Sequence, residues 1–192
     1  MRARGRATAA TGTPSESDSI AVLAVFDNEE VGSGTPQGAD SHFLYDTLTR
    51  VGFGLGASDG ELRAAMADSF MVSADNAHAL HPNHPEKYDA QNRVYMNGGI
   101  VIKHNANQKY TTDAVSDAAF QLICRRSGVP VQHYSNRSDI AGGSTLGHIS
   151  TSHVSVSTVD IGLAQLAMHS SYETAGTKDL DYLVQALTAY WA

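Results

Sequence analysis

Short apolar runs rich in β-branched residues recur along this chain at IAVLAVF (20–26), SFMVSAD (69–75), GGIVIKHN (98–105), VPVQHYS (129–135) and SVSTVDIG (155–162). The first is almost wholly apolar, as expected of a strand covered on both faces. Segments with helical spacing separate the runs, over roughly 40–51, 60–67, 112–127 and 174–190. The third has a start signal at Thr111-Thr112-Asp113 and a stop at Gly128 followed by Pro130. The fourth carries Leu180, Leu183, Val184, Leu187 and Tyr190 at helical spacing, a stripe that predicts core packing. Strand and helix in alternation predict an α/β domain with a largely parallel sheet. At 192 residues the chain suits one domain with room for a sizeable core.

Composition removes several classes of function. Apolar residues make up 42% of the chain, and no stretch has the length to cross a bilayer, so no membrane role is expected. The 13 Lys+Arg against 20 Asp+Glu argue against a nucleic-acid binder working through a broad phosphate-contacting surface. A lone Cys124 within AAFQLICRRSG cannot form an internal disulfide; it reads as a small core residue in a reducing compartment. Residues 1–18 are Arg-, Ala-, Thr- and Ser-rich without hydrophobic periodicity, and are expected to be a flexible segment apart from the domain at 19–192. Their arginines faintly resemble an organelle transit peptide, but without its amphipathic helix, and no apolar core follows to make a secretory signal. The polar stretch 76–97 is long for a connection in a compact domain and points to function.

Ligands of α/β sheets gather outside the carboxyl ends of the strands. The first run, in VLAVFDNEEVGSG (22–34), ends in Asp27, Glu29 and Glu30. Carboxylates so crowded repel one another unless a cation lies among them, and that cation is either an Arg or Lys or a metal. The second run leads to Asp75, His78 and His81, and the third to Lys103, His104 and Asn105. Acids, imidazoles and a lysine at one rim suit zinc, manganese or cobalt better than calcium. Adjacent glutamates also allow one to ligate while the other handles a proton.

Each feature has a plainer reading. DNEE alone is as well a solvated loop, His78 and His81 are as well loop residues bonded to backbone, and His169 follows an apolar stretch as a packed histidine would. The Gly-rich AGGSTLGHIS (141–150) lacks the Gly-Lys-Ser/Thr ending of a phosphate loop and reads as a turn lining a pocket. No Gly-x-Ser-x-Gly elbow is present to activate a serine.

Five stretches in order, FDNEEVGSGTPQGA, SADNAHALHPNHPEKYD, GGIVIKHNANQKYTTDAVS, SDIAGGSTLGHIS and LAQLAMHSSYE, resemble the aspartyl aminopeptidase family of metallopeptidases over roughly residues 19–191. The resemblance implies a mixed, largely parallel β-sheet sandwiched by helices. It implies a cytoplasmic, two-zinc exopeptidase that removes acidic residues from the N-termini of short peptides and assembles as a homo-oligomer. Position by position, Glu29 resembles the general base acting on a metal-bridging water. Glu30 and His169 resemble ligands of one zinc, and Asp75 a ligand of the second. His78, Lys103 and Tyr110 match positions that contact substrate, where a lysine would pair with an acidic side chain. Asp27 reads as a carboxylate that orients a ligand.

The family also has a zinc-ligating histidine far upstream and a bridging aspartate just before this region. This chain has no histidine before His42, and its only acids ahead of Asp27 are Glu16 and Asp18. It is therefore expected to be the C-terminal part of a catalytic domain, incomplete at the N-terminus. The alternative function is that of a truncated, non-catalytic metal-binding or assembly-forming fragment.

Overall fold

The computed structural model describes residues 19–192. The segment 1–18, expected to be flexible, lies outside the described residues. Two helices, α1 (Phe43–Gly54) and α2 (Asp59–Ala67), precede a run of strands and helices. In order these are β1 (Phe70–Ala74), β2 (Ala77–His78), β3 (Ile100–His104), α3 (Ala114–Ser127), β4 (Val131–Ser135), α4 (Leu146–Thr151), β5 (Ser157–Gly162), β6 (Ala164–Leu166), β7 (Thr174–Ala175) and α5 (Thr177–Tyr190).

The main sheet has the order β1-β5-β3-β4. β1 runs parallel to β5 and β3 parallel to β4, while β3 and β5 are antiparallel. A small second sheet, β2-β6-β7, continues from the ends of β1 and β5. The sheet is thus mixed, as the resemblance implies. Helix α3 begins where expected, with the Asp113 carboxylate accepting from the N–H groups of Val115 and Ser116. It ends at Gly128, whose φ of 71° is the left-handed conformation a glycine adopts at little cost.

Strand alternation divides β3 between two packed faces. Ile100 and Ile102 join Val159 and Ile161 of β5 beneath Phe120 and Cys124 of α3 and Ala186 of α5. Full burial of a side chain such as Phe120 contributes about 1.5–3 kcal/mol. Val101 points the other way, among Ala77, Ala79, Val94, Tyr110 and Tyr134. Helix α4 lies on this second face, where Gly147 sits so close to Asp160 and Ser73 that a Cβ there would come within 2.6 Å of Asp160 Oδ1. Helices therefore cover both faces. Among the described residues, no helix is long and apolar enough to cross a membrane.

Two expectations fail. Residues 20–26 run without strand pairing, and Ile20, Val22, Leu23 and Val25 are exposed, Val25 to 78%. Composition confers the tendency to be buried; a strand also needs a neighbour's edge, and none flanks this segment among the described residues. The α5 stripe is half displaced as well. Leu180 and Val184 are exposed, while Asp179 and Ala186 take the buried positions and Tyr182 and Leu183 pack beside the core. The helix is rotated by the carboxylate of Asp179, which accepts from the N–H groups of Asn97 and Gly99 at 2.6 and 3.0 Å.

Candidate functional site

The acidic run after residue 26 folds into a tight coil. Gly32 N–H donates to the Glu29 carbonyl at 3.0 Å and Ser33 N–H to that of Asn28 at 2.9 Å. Asn28 and Ser33 both take left-handed conformations, with φ of 62° and 59°, a cost that tends to collect at functional sites. The coil turns Glu29 and Glu30 toward the loop that follows β6. There Ala167 and His169 are also left-handed, with φ of 56° and 66°. The His169 N–H donates to Glu173 Oε1 at 2.7 Å. Nε2 of His169 then lies 2.9 Å from Oε2 of Glu30.

Asp75 and His78 arrive from the other side. Past the end of β1 the Asp75 N–H donates to the Ile161 carbonyl, and the chain passes into β2, where His78 pairs in register with Gln165. Lys103, only 1% exposed on β3, reaches toward this bend. Its Nζ donates to the carbonyls of Asp75 and Asn76 at 3.1 and 3.3 Å and lies 3.7 Å from Asp75 Oδ2. It also sits over the Tyr110 ring, 5.2 Å from its centroid, a cation–π contact.

These groups act on one another electrostatically. Burial, then the charges of Asp75 and Glu30, raises the pKa of Glu29 against the opposing pull of His169 and Lys103. Burial lowers that of Lys103, opposed by Asp75, Asp160 and Glu29. His78 is lowered by burial, by His169 and by Lys103. A carboxylate whose pKa is raised holds a proton more readily than an ordinary one, which suits a general base.

Glu29, Glu30, Asp75, His78, Lys103 and His169 are thus brought into one neighbourhood. Tyr110 lies beneath it, 6% exposed under Lys103, with burial raising the pKa of its phenol. Asp27 is exposed, and its N–H donates to Gln37. His81 lies beside His84, their rings tilted by 40°, and its Nδ1 accepts from the Asn83 N–H. His104, expected at the same rim as Lys103, instead lies on the opposite face of the sheet because adjacent strand residues point opposite ways.

Two further acids escape sequence reasoning. Asp160 is fully buried in β5, accepting from Thr145 Oγ1 at 2.8 Å and from Thr111 N–H and Oγ1 at 2.6 and 2.8 Å. An acid amid the apolar SVSTVDIG was its signal. Glu173, four residues after His169, holds the backbone of that histidine and lines the same open hollow with Glu30 and Ser170.

The donor set suits zinc at one end. A carboxylate and an imidazole 2.9 Å apart approach the separation of about 3.3 Å expected of two tetrahedral ligands at 2.0–2.1 Å from one ion. Asp75 stands apart, beside Lys103. Among the described residues, the ligand atoms of Glu30, Asp75 and His169 do not close into one cluster; such a cluster forms elsewhere, at His104, Asp117 and His133. Asp75 therefore stands outside the Glu30–His169 pair, with its carboxylate turned to Lys103.

Comparison with known proteins gives consistent matches. Residues 6–191 match the profile of the family described as aminopeptidase I zinc metalloprotease (M18). A probable M18 family aminopeptidase 2 from Clostridium acetobutylicum is 49% identical over 175 residues, covering 91% of this chain and 40% of the relative. A probable aspartyl aminopeptidase from Ricinus communis is 41% identical over 185 residues, covering 96% of this chain and 38% of the relative. The solved mApe1 dodecamer of S. cerevisiae superposes with a TM-score of 0.75 at 32% identity, over 86% of this chain and 36% of that one. The chain spans about two fifths of the length of the curated relatives it matches.

Proposed function

Because the chain belongs to the M18 zinc aminopeptidase family, we propose that it carries the proton-handling and metal-binding residues of a metal-dependent aminopeptidase that removes N-terminal Asp or Glu from short peptides. The observation that carries this reading is the gathering of Glu29, Glu30, Asp75, Lys103 and His169 around one rim, with the pKa of Glu29 raised. Glu30 and His169 would hold one zinc and Asp75 a second. Bound there, zinc would polarise a scissile carbonyl and lower the pKa of water toward neutrality. Glu29 accepts the proton released by the attacking water and passes it to the departing amine. Lys103 supplies the cation that favours an acidic side chain, supported by His78 at the rim and Tyr110 beneath. The dodecameric S. cerevisiae relative supports homo-oligomeric assembly, and a cytoplasmic setting belongs to the same reading.

A second reading, a non-catalytic metal-binding or assembly-forming fragment, draws on one observation. The side chains of Glu30 and His169 are 70% and 66% exposed, whereas two-metal hydrolysis works in a shaped, water-excluding cavity. The two readings separate in one experiment on the full chain. Chelator-sensitive release of N-terminal Glu or Asp from a short peptide, lost in His169→Gln, supports the aminopeptidase. Metal binding without turnover leaves the fragment reading in its place.

A further inference from the structure

On the face of the sheet opposite Lys103, three potential ligands converge from three elements. His104 ends β3, His133 lies in β4 and Asp117 lies in the first turns of α3. In the parallel β3–β4 register Ile102 pairs with His133 and His104 with Ser135, so the two histidines are diagonal neighbours on one face. Asp117 precedes Phe120 and Cys124 on the inward stripe of α3 and stands over the strand ends.

The separations are those of a coordination shell. His133 Nδ1 is 3.3 Å from His104 Nε2, and Asp117 Oδ2 is 3.4 Å from the latter and 3.9 Å from the former. Three ligands of a tetrahedral ion with bonds of 2.0–2.1 Å stand about 3.3 Å apart. The other carboxylate oxygen, Asp117 Oδ1, accepts from Gln121 Nε2 at 2.8 Å. That bond fixes the carboxylate with Oδ2 facing both rings, the kind of outer support that orients metal ligands. The histidine side chains are 33% and 39% exposed, which leaves an entry path and a fourth position for water.

We propose that His104, Asp117 and His133 form a site for a zinc-type divalent cation, separate from the rim occupied by Glu30, Asp75 and His169. Two imidazoles and one carboxylate favour a borderline first-row ion over calcium or magnesium, which take all-oxygen shells. The inference rests on the opposite face of the sheet and stands whether or not the chain hydrolyses peptides.

The test titrates metal-free full-length protein with Co²⁺, whose visible absorption reports tetrahedral coordination. It uses the His169→Gln background to remove the imidazole at the rim. One equivalent of tetrahedral Co²⁺ is expected there, lost on adding His133→Gln and bound about 10–100-fold more weakly on adding Gln121→Ala. An absorption unchanged by His133→Gln overturns the proposal. Should His133→Gln fail to fold, nitrogen-15 NMR of the His169→Gln protein decides. Zn²⁺ must then shift the ring nitrogens of His104 and His133, and unmoved resonances overturn the site.

Discussion

Nε2 of His169 lies 2.9 Å from Oε2 of Glu30, joining the coil after residue 26 to the loop between β6 and β7. An exposed pair of this kind contributes about 0–1 kcal/mol to stability, which is too little to account for the left-handed backbone at Asn28, Ser33, Ala167 and His169 around it. Under the proposed function its value lies in the zinc that the two side chains would hold. Accordingly, His169→Gln and Glu30→Gln should each leave the melting temperature nearly unchanged and sharply reduce zinc affinity at the rim, read by equilibrium titration. A large loss of thermal stability with zinc affinity intact would reverse this assignment.

Under the proposed function Glu29 handles the proton rather than the metal. Glu29→Gln keeps the shape and removes the base, so hydrolysis should fall by about 10²–10⁴-fold while bound zinc is retained. Steady-state kinetics and elemental analysis on the same sample check both halves. Joint loss of zinc and activity would exchange the roles of Glu29 and Glu30.

Cys124 gives a pH dependence away from the site. Burial raises its thiol from 9.0 to about 11 in the folded chain. The unfolded chain ionises first, so the contribution is fully present below pH 9 and is lost as pH rises through about 11. The loss is on the order of 2–3 kcal/mol across that window. Urea unfolding at pH 8 and pH 10.5 should show a steeper fall in stability in the parent than in Cys124→Ala, in which buried phenols such as that of Tyr110 still contribute a slope of their own.

Asp179 is fully buried and accepts from two backbone N–H groups, of Asn97 and Gly99. Asp179→Ala strands both donors and should cost about 2–6 kcal/mol, since each buried unsatisfied group carries a penalty of about 1–3 kcal/mol. Denaturant titration measures it. A change under about 1 kcal/mol would mean that water reaches the vacated space.

The regular elements with their own punctuation were legible in the amino-acid sequence. Asp113 and Gly128 bound α3 because a cap is a local bond between residues a turn apart. Segment 20–26 misled because its apolar character specifies burial without naming a neighbour. In α5 the apolar spacing outlined a face, but Asp179, tied to a loop far away in the chain, set the rotation. Asp75 and Lys103 were reached by the rule that strand ends collect function, Glu29 by the same rule from a strand that did not form, and His169 only through the family resemblance. Asp117, His104 and His133 were out of reach, since their convergence depends on the β3–β4 register and the seating of α3.

Lys103 and His104 share one peptide bond and open onto opposite walls of the sheet. β3 is therefore a partition whose two sides cannot drift independently. Deleting or inserting a single residue in Ile100–His104 would exchange the sides, driving an ammonium toward the apolar cluster under α3 and an imidazole toward Tyr110. The register that seats Lys103 on one wall therefore also fixes which wall receives residue 104.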